Sequence, residues 1–215
     1  MDEITQIIKI HYKKKLNKFI EKNNHKSENS LIKLNDSDYM KYNTVIEIIV
    51  KKNFNITTFI HQLKKLLKNS KSNKFHINLE ENNLGDNGSI ILAFLISKTD
   101  LITSINIANN NIRTSGIIAL SEAIKINTSI KSLNLSENYF SDNVMKPLGE
   151  SLEENQTIEE LFIKNINIEN RDISELCKSL VKNNTIKFLD IRNNRYGRKG
   201  SIEISKLLKK NKNIL

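Results

Sequence analysis

"SINIANNNI", residues 104–112, sets Ile105 and Ile107 two apart and places Asn110 three positions after the second isoleucine. Alternation at period two marks a strand with one buried face. Where such a strand turns sharply away, backbone donors and acceptors are buried without a ladder partner, which is costly. An inward-pointing Asn brings one acceptor and two donors to those groups. Asn110 therefore reads as structural.

The stretch belongs to a series. "INLEENNLGDNG" from Ile77, "INIANNNIRTSG" from Ile105, "LNLSENYFSDNV" from Leu133, "LFIKNINIENRD" from Leu161 and "LDIRNNRYGRKG" from Leu189 follow one another at 28 residues, and "IIVKKNFNI" from Ile48 precedes the first by 29. A phase held this long signals a repeat architecture. The asparagine recurs as Asn53, Asn82, Asn110, Asn138 and Asn194, a predicted ladder, with an apolar residue two later at Leu84, Ile112, Phe140 and Tyr196. The second half of each copy is helical: Ile117, Leu120 and Ile124 keep core spacing, and Leu92, Leu148, Leu176 and Ile204 match Leu120. One strand and one helix cannot bury their apolar faces alone, so neighbouring copies must stack.

Later asparagines, Asn127, Asn155, Asn183 and Asn211, are predicted to close the helices in the left-handed conformation. The sequons "NTS", "NQT" and "NNT" that begin at the first three are read as structural, not as glycosylation signals. The fourth copy departs. Ile166 takes the ladder position between Asn165 and Asn167, and Val144 and Asp172 stand where other copies carry Gly88, Gly116 and Gly200. A local irregularity around 164–172 is expected, with a one-residue shift that lets Asn165 serve.

On the "LxLxxN…L" pattern and the helix in each 28-residue copy, residues 48–215 resemble the leucine-rich repeat family, in its ribonuclease-inhibitor-like class. The resemblance implies an α/β solenoid, curved, with parallel strands on the concave face and helices on the convex face. "SGIIALSEAIKINTSIKSLNLSEN" also resembles the repeats of tropomodulin, which implies actin as a possible partner. The actin- and tropomyosin-binding helices of that family would need more than the roughly 47 residues, basic on balance, that precede the repeats here.

Residues 3–22 place Ile4, Ile7, Ile8, Leu16, Phe19 and Ile20 at helical spacing, which predicts an amphipathic cap helix, and "LIKL" at 31–34 reads as a capping strand. The expected division is a cap over 1–47 and a repeat domain of about six copies over 48–215. After "NKNIL" another strand would begin, so the chain is either full length or a fragment, and its oligomeric state is open.

Residues 1–76 hold 16 Lys against 7 acidic residues, while the remainder is nearly balanced. A basic end fits nucleic acid or an anionic membrane surface; the abundance of Lys, Asn and Ile equally fits an AT-rich coding bias. No run approaches the roughly 18 apolar residues of a membrane span. A single cysteine fits a reducing compartment, so the expected location is the cytoplasm, or a host cytoplasm for a bacterial effector.

No catalytic constellation, metal site or cofactor is predicted. His11, His25, His61 and His76 lie at no metal-ligand spacing, and Cys177 falls in a column of small helix residues with Ala93, Ser121, Gly149 and Ser205. Binding is what the architecture offers. Outward strand positions stack into columns: Asn78, Asn106, Asn134, Phe162, Asp190, then Glu80, Ala108, Ser136, Lys164, Arg192. The concave surface thus passes from acidic to basic and aromatic. Phe162, Lys164, Asp190, Arg192, Tyr139 and Arg195 are the predicted partner site, since exposed aromatics beside Arg make interface hot spots; the alternative is that Phe162 tucks against Phe188 or the irregular fourth turn. The expected function is a non-enzymatic adaptor or scaffold that binds a protein on the concave face. Actin-end binding, a host-directed effector, and lipid or nucleic-acid binding by the basic third are the alternatives.

Overall fold

A computed structural model describes residues 6–9, 33–35, 45–50, 56–69, 74–140 and 144–214. The strands are β1 (Gln6–Lys9), β2 (Lys33–Asn35), β3 (Val45–Val50), β4 (Lys74–Asn78), β5 (Ile102–Asn106), β6 (Ser132–Asn134), β7 (Glu160–Phe162) and β8 (Phe188–Asp190). The helices are α1 (Ile56–Asn69), α2 (Gly85–Ile96), α3 (Thr114–Ile126), α4 (Met145–Glu154), α5 (Asn170–Leu180) and α6 (Arg198–Lys210). All the strands lie in one sheet, in the order β2-β1-β3-β4-β5-β6-β7-β8. From β3 to β8 every pair is parallel, because a helix carries the chain back between successive strands.

The repeat phase read from the sequence is the pairing register. Ile48 faces Ile77, Ile77 faces Ile105, Ile105 faces Leu133, Leu133 faces Leu161 and Leu161 faces Leu189. Side chains pointing to the helix side form the core with Leu92, Leu120, Leu148 and Leu176, all buried. The molecule is an α/β repeat solenoid, strands on the concave side and helices on the convex side.

The N-terminal end differs from expectation. Gln6–Lys9 is a strand, parallel to β2 and antiparallel to β3, where the sequence predicts the first turns of a helix. Adjacent β-branched Ile7 and Ile8 suit a strand, and an antiparallel strand covers the hydrogen-bonding edge that β3 would otherwise expose. The rest of 3–22 lies outside the described residues. The expected capping strand at 31–34 coincides in part with β2, and the 47/48 division falls inside β3.

Two asparagine ladders run along the stack. At the strand exits, Asn110 Oδ1 accepts the amides of Asn82 and Leu84 at 3.0 and 3.2 Å, and Asn138 Oδ1 accepts those of Asn110 and Ile112, each at 3.0 Å. Asn194 does the same for Ile166 and Ile168. The side-chain amides reach back to carbonyls, as from Asn110 to Leu79 and from Asn138 to Ile107. Asn53 lies outside the described residues.

At the strand entries, the second ladder replaces the predicted left-handed caps. Asn127, Asn155 and Asn211 are extended, with φ of −75°, −71° and −90°. Asn155 Nδ2 donates to Ile124 and Asn127 carbonyls, Asn183 Nδ2 to Leu152 and Asn155, and Asn211 Nδ2 to Leu180 and Asn183. Their side-chain oxygens hold the amides that start the next strand. Buried and doubly bonded, Asn127, Asn155 and Asn183 are closed to glycosylation in the folded chain. The left-handed positions are elsewhere, at the strand exits: Glu81, Asn109, Glu137, Asn165 and Asn193 form one column of positive φ.

The expected shift in the fourth copy does not occur. Asn165 keeps its column with a φ of 52° and stays exposed, and β7 pairs in unbroken register on both sides. Ile166 is buried in the ladder slot instead, since a one-residue slip would turn the whole strand face over. A pocket lined by Phe140, Val144, Met145, Ile166 and Ile168 adjoins it.

Glycine positions have a related cause. Asp86 Oδ1 takes the Arg113 and Gly116 amides at 2.7 and 3.1 Å, capping α3 from the preceding copy. A Cβ on Gly116 would stand 2.8 Å from that oxygen. Asn170 caps α6 in the same way through Gly197 and Gly200. At Asp172 the glycine is replaced by a residue that caps its own helix, through the Glu169 amide.

Asn138→Ala strands two amides and three carbonyl partners in a buried site, so a loss of about 3 kcal/mol or more is expected. Asn194→Ala, at a half-buried position, should cost less; urea unfolding of both variants checks the order. Across the strand entries Glu159 joins Lys131 at 2.7 Å and Lys187 at 2.6 Å. Hydrogen bonds from these two lysines hold its carboxyl at about 2, against an ordinary 4.5. Its stabilisation is present above pH 4.5 and is lost as pH falls toward 2. For so exposed a pair of lysines it amounts to about 1 kcal/mol or less. Glu159→Gln should flatten that part of the stability–pH curve in thermal melts.

Candidate functional site

Strand alternation sets Phe162, Phe188 and Asp190 on the face away from the helices, while Leu161 turns into the core. Phe162 and Asp190 face each other in register. The Phe162 ring centroid is 5.1 Å from that of Phe188, tilted by 42°. Phe188 remains 43% exposed, so the pair is a surface feature and not a sealed contact. The tuck of Phe162 against Phe188 and its presence on the surface thus hold together.

Phe162 breaks a structural rule of its column. Asn78, Asn106, Asn134 and Asp190 each accept, on a side-chain oxygen, the amide two residues on. These are Asx turns that fix the strand exit. Phenylalanine has no acceptor, and the Lys164 amide donates to Ser136 Oγ at 3.1 Å instead. An aromatic therefore occupies a slot where the repeat calls for an Asn or Asp.

The remaining predicted residues divide. Asp190 is buried and bound by its neighbour: Arg192 Nε donates to Oδ1 at 2.8 Å and Nη2 to Oδ2 at 2.7 Å. Those side-chain bonds from Arg192 hold the Asp190 carboxyl below its usual range despite burial. Asp190 is thus a support for Arg192 and not a presented group. Arg192 itself leaves 75% of its side chain in solvent. Lys164 lies 3.3 Å from Glu137, so part of the expected basic character is neutralised in place. Tyr139 is 70% exposed. Arg195 is exposed and makes no ion pair among the described residues, and its backbone is held by the Ile168 carbonyl at 2.8 Å. Tyr139 and Arg195 stand two copies apart on the strand-exit rim, roughly 10 Å along the stack.

Two members were not in the predicted set. Phe188 is one, though its place two residues before Asp190 on an alternating strand is enough to put it on this face. Glu137 is the other, and only the stacking of copies brings it to Lys164. Toward the first copies the same face is acidic and amide-rich, with Glu80 taking a hydrogen bond from Asn106 at 2.9 Å.

Among the described residues no three His, Cys, Asp or Glu side chains converge to hold a metal ion. Burial pushes the Cys177 thiol up to about 12, which leaves almost no thiolate at neutral pH. No helix among the described residues is long and apolar enough to cross a membrane.

Comparison with known proteins agrees with this geometry. A family model described as "Leucine Rich repeat" matches residues 101–121, the copy that contains Ile105, Ile107 and Asn110. No curated protein matches the chain. Among solved structures, the tropomodulin C-terminal domain of Caenorhabditis elegans is similar at a TM-score of 0.60 and 17% identity, covering 74% of this chain and 94% of that one. Leiomodin-1 actin-binding site 2 is similar at a TM-score of 0.59 and 19% identity, covering 72% and 89%. At these identities the likeness is one of fold. The 28-residue register, the asparagine ladder and the repeat matched at residues 101–121 give the chain a leucine-rich repeat fold.

Proposed function

We propose that the chain is a non-enzymatic adaptor or scaffold that grips a protein partner on the concave strand face, centred on Phe162 and Phe188. The observation that carries this reading is the aromatic pair itself, set in a column whose other members form turns, beside the exposed Arg192 guanidinium. Aromatic and Arg side chains dominate interface energetics because they bury large areas at small entropic cost and stay well packed when desolvated. Asp190 fixes the guanidinium in advance, which lowers the cost of ordering it on binding. Lys164, Tyr139 and Arg195 form the rim. The repeat unit over 48–215 supplies this face, and the setting that suits it is a cytoplasm, whether the cell's own or that of a host.

Actin is the partner to try first. Two similar folds are a tropomodulin domain and an actin-binding site of leiomodin-1. Other proteins remain within the same reading.

The test is co-sedimentation with filamentous actin, run beside affinity capture from lysate. Phe162→Ala with Arg192→Glu should weaken the captured interaction by about a hundredfold or more, from two hot-spot losses; because Arg192→Glu also leaves the buried Asp190 carboxylate unpaired, circular dichroism must show both proteins folded at the assay temperature. An interaction that the double variant retains in full would overturn the site. Filaments that neither bind nor depolymerise differently would remove actin and leave the captured protein as the partner.

A further inference from the structure

A second surface lies on the convex side, on the helices nearest the N-terminus. Phe94 on α2 is 56% exposed, Ile90 is 44% exposed, and Ile118, one copy later on α3, is 42% exposed. In the next two copies the Ile90 position becomes Lys146 and then Ser174, which ends the patch at the first helices, and an exposed apolar residue returns to this column only at Ile202 on α6. Two lysines flank its centre. Lys64 Nζ, from α1, sits 5.3 Å from the Phe94 ring centroid, and Lys98 Nζ sits 5.9 Å from it. Lys65 and Lys68 are exposed on the same helix as Lys64. Of the nearby acids, Asp86 is taken up by the Arg113 and Gly116 amides, while Glu122 is exposed on α3.

We propose that this convex face docks on an anionic lipid bilayer, with Phe94, Ile90 and Ile118 entering the headgroup boundary and Lys64 and Lys98 meeting lipid phosphate and carboxylate. Charge complementarity selects the occupant: Lys64, Lys65 and Lys68 on α1 and Lys98 just after α2 are all exposed, and juxtaposed lysines and apolar side chains are what anionic interfaces hold. Shape points the same way. The patch protrudes from a convex helical layer, which cannot wrap a peptide, whereas a headgroup layer deforms around protruding side chains. Lysine stems can lie along the apolar surface while their ammoniums stay in the polar layer. A nucleic acid is disfavoured because both lysines already sit over the Phe94 ring, where a base would have to stack. This surface is separate from the concave face and does not depend on what binds there.

The experiment is co-sedimentation of the full chain with vesicles of phosphatidylcholine alone and with 30% phosphatidylserine added (about 100 mM salt, within the screening range where surface charge acts). Serine-lipid-dependent binding is expected. Each lysine near such a surface is worth about fivefold in partitioning, so Lys64→Gln with Lys98→Gln should weaken binding about thirtyfold. Phe94→Ser with Ile118→Ser should weaken it as well; both pairs are exposed and should leave helicity and melting temperature unchanged. The concave variant Phe162→Ala, Arg192→Glu should bind vesicles like the wild type. The proposal is overturned by a wild type that does not sediment with the anionic vesicles, or by binding that both convex variants retain. A concave variant that loses vesicle binding overturns it too. So does a single-stranded oligonucleotide that binds the wild type, and not the convex variants, while vesicles do not.

Discussion

Buried backbone amides at the strand exits set the terms for the rest of this structure. Each strand is three to six residues long and then gives way to a turn too tight for ladder pairing. The amides that follow it are enclosed between layers and need acceptors. Asn110 and Asn138 meet that demand from the neighbouring copy, each with one oxygen shared by two amides. A second set, from Asn127 to Asn211, meets the same demand where helix returns to strand. Hydrophobic burial drives the stacking of copies. The asparagines decide the register at which stacking is allowed.

Departures from that scheme gather in one part of the sheet. Ile166 fills a ladder slot with an apolar side chain, and Phe162 fills a turn slot with an aromatic one. Ser136 takes the Lys164 amide in its place, Asn165 keeps its column, and the strand register is kept. What the region loses in backbone satisfaction it offers as apolar and aromatic surface. The proposed partner site lies there, beside an arginine whose geometry is fixed by a buried aspartate.

The architecture was legible because its cause is periodic. Residues Ile77, Ile105, Leu133, Leu161 and Leu189 carry the register in plain view, and the ladder asparagines follow from one question about buried amides. The role of Asn127, Asn155 and Asn183 was harder to read. Local propensity pointed to a left-handed cap, whereas their partners lie a whole copy away and become visible only when copies are stacked. Asp190 illustrates the same limit for the site. Strand alternation set it facing out, yet its carboxylate is covered by Arg192, two residues on in the same chain. The amphipathic spacing of Ile4, Ile7 and Ile8 misled because adjacent isoleucines also suit a strand, and an open sheet edge decides between the two. Exposed Phe94 and Ile118 are not legible in the sequence, because helix periodicity marks the buried face and is silent about apolar residues outside it.

The two asparagine ladders differ in one respect with a mechanical consequence. The ladder at the strand entries runs without interruption from Asn127 through Asn155 and Asn183 to Asn211. The one at the strand exits is interrupted at Ile166. A beam clamped along one edge and notched along the other has its lowest bending stiffness at the notch. Here the notch falls between the copies that carry Tyr139 and Phe162. At the strand exits those two copies are therefore joined by strand pairing and by the apolar packing of Ile166, without the asparagine bonds that join their neighbours.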